Sequence, residues 1–461
     1  MFKVIIDGKT FSAFDGQRLS DFLVDAEVSV PHPCGGRGVC QKCAVEVNGQ
    51  TELSCRYEIH SDITVRIPRH TEIASDTGAV ETGVSTEDVC FALDIGTTTL
   101  ALALVSLDKG EIVKVLTRTN PQTAFGADVM SRIDYCSKNG VGKLQKAVTE
   151  RISQMVAQFA LPSPVRMFVA GNATMLHLFF GVDASSMGRA PYTPAFLDSK
   201  TCKGEELGIA GVSEIISLPS ISAFVGADLV AGLNFVGMPQ EGKYNLLIDL
   251  GTNAEIVLYA RDNALCTAAA AGPCFEGANI SCGMSAEDGA IWAYKNGACQ
   301  TIGNAPARGI CGTGLIDIVS ELLRQEIIEE SGYMEEDRFD LGENVYLCQA
   351  DVRQFQVAKS AVCSAVLTLM ENQGIGFESV EKVYLSGGFS GKINIQNAVK
   401  VGLLPAQLFE KCVAVKNSSL LGTVKFAWEN NDLSDYLKTK YVDLSADPNF
   451  SDRFIENMLF E

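Results

Sequence analysis

Cys90-Phe91-Ala92-Leu93-Asp94-Ile95-Gly96-Thr97-Thr98-Thr99 and, far downstream, Asn245-Leu246-Leu247-Ile248-Asp249-Leu250-Gly251-Thr252-Asn253 read alike. Each is an apolar strand that reaches an aspartate near its end and then turns through glycine and hydroxyl or amide residues. A second strand follows in both places, Leu100–Ser106 and Glu255–Tyr259. Such a turn can hold phosphate on its N–H groups and hydroxyls, while the carboxylate orients Mg2+ through water. Asp94 and Asp249 are therefore the candidate catalytic residues, and Gly96, Thr97, Thr98, Thr99, Gly251, Thr252 and Asn253 the candidate phosphate contacts. One turn of this kind is commonplace in loops. Two, as an internal repeat, point to two similar lobes over 89–240 and 241–430, with an acidic tail over 431–461.

Upstream of the repeat the pattern changes. Phe2–Ile6 and Lys9–Ala13 read as a hairpin around Asp7-Gly8, and Arg18–Ala26 has helical spacing with Leu19, Phe22 and Leu23 on one face. Ala44–Val47 and Ile63–Ile67 alternate like strands, and Asn48-Gly49 is a hairpin turn. Between helix and strands lies a loop with Gly35, Gly36 and Gly38 and the cysteines Cys34, Cys40 and Cys43; Cys55 follows the hairpin. Four thiolates at C-x5-C-x2-C-x11-C suit a 2Fe-2S cluster, and glycines let backbone N–H groups approach its sulfides. Zinc is the competing reading, but its sites usually pair two C-x2-C knuckles, and only Cys40/Cys43 has that spacing. Residues 69–88 are polar and weakly periodic, and read as a linker.

Composition narrows the function classes. A net charge of −19 with no Lys/Arg-rich run argues against nucleic acid as a partner. No run of about 18 apolar residues appears, so no membrane span is expected. The N-terminus lacks the features of a signal peptide, and a cytoplasmic location is expected. Fifteen cysteines in a chain of this size point to metal binding and reduced core thiols rather than a disulfide framework.

Further motifs extend the resemblances. Residues 1–68 resemble plant-type ferredoxin domains, with the short last gap of succinate dehydrogenase iron–sulfur subunits. The paired acid–glycine–hydroxyl turns resemble the actin-like ATPase fold of sugar kinases and heat-shock chaperones, which clamps ATP between lobes. Val169-Ala170-Gly171-Asn172-Ala173-Thr174-Met175 looks like that fold's first connecting segment, and a helix from Ser418-Ser419 like its second. By the same resemblance, Gly312-Thr313-Gly314 and the Gly387-Gly388 pair of Tyr384–Ser390 would line the adenosine. The activators of 2-hydroxyacyl-CoA dehydratases are similar in motif order. They hold a shared cluster through a cysteine where this chain has Gly309, with Cys311 out of register.

A ferredoxin domain fused to an actin-like ATPase resembles the reductive activators of corrinoid proteins. Gly272-Pro273-Cys274-Phe275-Glu276-Gly277-Ala278-Asn279-Ile280-Ser281-Cys282-Gly283-Met284 and Gly309–Asp317 carry the likeness further. The fold class so implied is α/β multidomain: an N-terminal β-grasp 2Fe-2S ferredoxin-like domain, then a two-lobed actin-like (ribonuclease H-like) ATPase. Its cofactors would be a 2Fe-2S cluster, ATP and Mg2+. The implied activity returns one electron to the Co(II) corrinoid of a methyltransferase-system corrinoid protein and restores Co(I), driven by ATP. The implied partners are that corrinoid protein, an external low-potential electron donor and a second copy of the chain. With only 69–88 between ferredoxin and ATPase, the chain reads as a short variant without the middle domain of longer members. A redox-regulated small-molecule kinase and a non-enzymatic redox or nucleotide sensor are the rival readings. Cys274 and Cys282 are expected as small core residues, and His177 as a satisfied core histidine.

Overall fold

The computed structural model describes residues 1–6, 8–26, 28, 30, 38, 43–67, 88–388 and 392–460. Cys34, Cys40, Gly35, Gly36, nearly all of the linker, Phe389 and Ser390 lie outside them. The chain falls into two compact units, Met1–Ser217 and Leu218–Glu461.

In the first unit, β1 (Phe2–Ile6) and β2 (Lys9–Ala13) form the expected hairpin, with Phe2 opposite Ala13 and Ile6 opposite Lys9. After α1 (Leu19–Asp25) come β3 (Ala44–Val47), β4 (Gln50–Leu53) and β5 (Ile63–Arg66). β5 pairs parallel with β1, closing a mixed sheet of order β2–β1–β5–β3–β4. This is the β-grasp arrangement. The period-2 alternation sends Val4, Ile6, Val45, Val47, Ile63 and Val65 to one face, where Leu19, Phe22 and Leu23 cover them. Each such aliphatic side chain contributes about 1.5–3 kcal/mol by leaving water.

The second sheet of this unit starts with β6 (Val89–Ile95), β7 (Thr99–Ser106) and β8 (Glu111–Thr119), each antiparallel to the one before. Helices α2 (Val129–Asn139) and α3 (Gly142–Ala157) lead to β9 (Val165–Gly171), and α4 (Ala173–Phe179) follows it. β10 (Thr201–Lys203) and β11 (Val212–Ser217) complete a sheet of order β8–β7–β6–β9–β11–β10. β6 is buried along nearly its whole length, as expected of a central strand flanked on both sides.

The second unit repeats this plan. After α5 (Ala227–Val236), β12 (Tyr244–Leu250), β13 (Ala254–Ala260) and β14 (Asn263–Ala269) form the antiparallel triplet. β15 (Ala290–Lys295), β16 (Ala298–Thr301) and β17 (Gly309–Ile310) make a small side sheet, and α6 (Gly312–Arg324) and α7 (Gln349–Gln373) pack within the unit's core. β18 (Val380–Ser386) and β19 (Cys412–Ala414) add parallel strands, α8 (Ser418–Glu429) follows, and β20 (Lys440–Tyr441) joins the far edge. The order is β19–β18–β12–β13–β14–β20. The first five strands of each sheet thus follow one plan, a ribonuclease H-like one, so the repeat in the sequence is a repeat of topology. The compact units divide at Ser217, whereas the sequence repeat suggested residue 240. The reason is α5, which packs on α8 and is bonded to it: Asn234 donates to the Gly422 carbonyl (3.0 Å) and Lys425 to that of Asn234 (3.0 Å). Among the described residues, no helix is long and apolar enough to cross a membrane.

Candidate functional site

Two of the four cluster cysteines are described, and they meet. Cys43 precedes β3 and Cys55 follows β4, so the β3–β4 hairpin returns the chain to its own start. The Ser54 N–H donates to the Cys43 carbonyl (3.0 Å), and the two Sγ atoms lie 3.3 Å apart, both side chains buried. Two thiols side by side in a protein interior, neither in a disulfide, fit the cluster read from the sequence.

The turn after β6 is held from behind by side chains that sequence reading missed. Asn120, wholly buried, donates through Nδ2 to the Gly96 carbonyl (2.8 Å), and its own N–H donates to the Thr98 carbonyl (2.8 Å). Arg132, also wholly buried, donates to the Thr97 carbonyl (2.5 Å). The Gly96 N–H closes the turn on the Thr99 carbonyl (2.9 Å). Asn172 caps α4 by accepting from the Met175 N–H (2.9 Å) and donates through Nδ2 to the Thr97 hydroxyl oxygen (3.2 Å). Arg132 is delivered by α2, whose start is fixed by a reciprocal cap: Asp128 accepts from the Ser131 N–H (2.7 Å) and the Ser131 hydroxyl accepts from the Asp128 N–H (3.2 Å).

The turn after β12 has different company. Asp249 stands opposite Glu255 across the β12–β13 ladder, whereas Asp94 stands opposite Ala101. The Gly251 N–H closes on the Asn253 carbonyl (3.0 Å), and the Thr252 hydroxyl donates to Glu276 (2.8 Å). Burial first, then the charges of Asp228 and Asp249, and that of Glu276, hold the Glu255 carboxyl well above the usual carboxylate range. Asp228, Glu255 and Glu276 were not picked out from the sequence. Glu255 two residues past Asn253 was the available signal, since a charged residue early in an apolar strand is unusual.

The other glycine motifs are in place, with a packing explanation for most of them. A side chain at Gly312 would meet the Phe275 carbonyl at 2.1 Å, and one at Gly314 the Ile291 carbonyl at 2.0 Å. Segment 272–284 is thereby seated on the start of α6, and the Met284 N–H and Cys282 carbonyl both bond Ile310. Thr313 is buried and shares a contact with the Cys311 thiol (3.4 Å). Gly387, at φ +117°, lies against the Leu250 carbonyl; a side chain at Gly388 would meet nothing within 4 Å among the described residues. Cys274 is a core thiol that burial pushes up to about 12. Cys282 is half-buried, and its thiol donates to the Asn344 carbonyl (3.6 Å). His177 is satisfied on both nitrogens, one against the Ala173 carbonyl (2.7 Å) and the other against the Ala195 N–H (3.0 Å).

Residues 1–70 match the family model of the 2Fe-2S iron-sulfur cluster binding domain, 89–241 that of the RACo middle region, and 243–461 that of the C-terminal ASKHA domain of RACo. The fold and these matches define an iron–sulfur protein with an ASKHA, actin-like nucleotide-binding domain. The chain belongs to the family of reductive activators of corrinoid proteins. It is 29% identical over 415 residues to the corrinoid activation enzyme RamQ of Eubacterium limosum, across 80% of this chain and 70% of that one. It is 28% identical over 387 residues to the [Co(II) methylated amine-specific corrinoid protein] reductase of Methanosarcina barkeri, across 75% of this chain and 71% of the other. A solved reductive activator for corrinoid, iron-sulfur protein superposes with a TM-score of 0.73 at 27% identity, over 100% of this chain and 98% of that one. One expectation is corrected. The middle region is not missing: it is the stretch 89–241, read from the sequence as the first ATPase lobe.

Proposed function

We propose that this chain is an ATP-dependent reductive activator that passes one electron to the Co(II) corrinoid of a methyltransferase-system corrinoid protein and so restores Co(I). The observation that carries this reading is the superposition on a solved reductive activator over the whole chain, ferredoxin-like and ASKHA parts together. Cys43 and Cys55, with Cys34 and Cys40, would hold the 2Fe-2S cluster, which supplies one-electron chemistry at a potential of about −400 mV in ferredoxins of the plant type. An acceptor 100 mV more negative costs about 2.3 kcal/mol per electron. That cost is the reason for coupling to ATP. Nucleotide binding biases the transfer if the nucleotide-bound chain binds the Co(II) and Co(I) partners with different affinities.

Within the nucleotide site, Asp94 and Asp249 would organise Mg2+ and the attacking water. Gly96, Thr97, Thr98, Thr99, Gly251, Thr252 and Asn253 would contact the phosphates. Gly312, Thr313, Gly314, Gly387 and Gly388 would border the adenosine. The proposed boundaries are 1–68 for the cluster domain, 69–88 for the connection, 89–240 and 241–430 for the lobes, and 431–461 for the tail. A low-potential external donor and a homodimer complete the reading.

The test is Co(I) absorbance on mixing the reduced protein, Mg-ATP and a Co(II) corrinoid protein. Formation of Co(I) that requires ATP supports the proposal. Undiminished formation by Cys43→Ser removes the cluster from it, and a phosphorylated small molecule as product replaces the whole reading with that of a kinase.

A further inference from the structure

A backbone turn binds an anion only when its N–H groups face outward, which obliges its carbonyls to face inward and find donors there. The turn 96–99 meets that condition at its four carbonyls and at the N–H groups of Thr97 and Thr98. The carbonyls of Gly96, Thr97, Thr98 and Thr99 accept from the Asn120 side chain, Arg132, the Asn120 N–H and the Gly96 N–H respectively. The N–H groups of Thr97 and Thr98 have no partner among the described residues. The Thr97 hydroxyl accepts from Asn172, so its own hydrogen is left to donate.

Arg132 does more than fill a vacancy. Its Nε donates to the Gly126 carbonyl (2.9 Å) and its Nη1 to Gln122 (3.4 Å) and to the Met175 sulfur (3.0 Å), so the guanidinium is locked on several sides. Met175 is also in contact with Asn120 Nδ2 (3.8 Å). The guanidinium is fully buried beneath the turn, and its donors are held in a rigid planar fork.

We infer that Arg132, assisted by Asn120, is a positioning residue for phosphate: by holding the carbonyls of the turn 96–99 it leaves the Thr97 and Thr98 N–H groups to an anion. The ligand class is a phosphate chain, which rests on the nucleotide-site reading above.

The experiment uses the full chain with its cluster. Mg-ATP affinity is measured by calorimetry, and KM and kcat by phosphate release, for wild type, Arg132→Lys, Arg132→Met and Asn120→Ala. Circular dichroism and the visible cluster spectrum report folding. The expected result is a Kd for Mg-ATP raised at least tenfold in Arg132→Met and less in Arg132→Lys, which keeps the charge but loses the fork. KM should rise more than kcat falls, a split that simple loss of folded protein does not produce. Folded Arg132 variants that bind Mg-ATP within twofold of wild type overturn the inference, as does a loss confined to kcat. Should neither Arg132 variant fold, Asn120→Ala decides, with a severalfold weaker Kd expected and an unchanged Kd overturning. A wild-type protein that binds no Mg-ATP sinks the nucleotide-site reading itself, which the wild-type titration reports separately.

Discussion

The two acid–glycine–threonine turns share sequence pattern, strand order and place in their sheets, yet their surroundings differ in sign. The turn at 96–99 is backed by a buried guanidinium and two amides, and the one at 251–253 by carboxylates. The threonine hydroxyls are polarised oppositely as a result. Thr97 accepts from Asn172 and has a hydrogen to give, which suits a phosphate oxygen. Thr252 gives its hydrogen to Glu276 and has lone pairs to offer, which suits a cation. Asp249 stands opposite Glu255 and helps hold that carboxyl well above the usual carboxylate range, a cost that a bound cation would reduce. The two copies of one motif thus stand in opposite company, a buried guanidinium behind one and carboxylates beside the other.

The division can be broken from either side. Asp249→Asn is expected to have the largest effect, lowering ATP turnover by about 100-fold, the scale of losing one well-placed electrostatic group; a steady-state assay showing less than a few-fold loss would place the cation elsewhere. Glu276→Gln should come next. It should raise the Mg2+ concentration for half-maximal ATPase severalfold while leaving the rate at saturating Mg2+ close to wild type, and an unchanged Mg2+ titration would assign Glu276 to packing alone. Asn172→Ala removes a helix cap as well as the Thr97 contact. The expected loss is about 1 kcal/mol of stability by denaturant titration, accompanied by weaker ATP binding. Asp25→Ala breaks the exposed pair with Lys143 (2.8 Å) and should change stability by less than about 1 kcal/mol.

Much of this was legible in the chain. β1, β2 and β3 fall where alternation put them, and both acid–glycine turns sit at the strand ends that the repeat marked. These features are local, and each is written in ten or so consecutive residues. Arg132, Asn120 and Glu276 were not legible, because each acts on a turn some two dozen or more residues away and only the tertiary fold brings them together. Arg132 had a faint signal: it shares a helical stripe with Ile133 and Cys136, both buried, where a solvated arginine would not sit. The glycines of Gly312-Thr313-Gly314 carry a second requirement that the sequence does not separate from the first. Their small size answers to carbonyls of their own chain, a requirement that in sequence looks the same as room for a ligand.

The route by which Cys43 and Cys55 meet has a bearing on synthesis. Their contact needs only the β3–β4 hairpin, and the sheet around it is complete once β5 has paired with β1 at residues 63–65. A ribosome adding about 5–20 residues per second makes the rest of the chain over the following tens of seconds. The ferredoxin-like domain can therefore be folded, with Cys43 and Cys55 already side by side, before the residues that build the second turn have been translated.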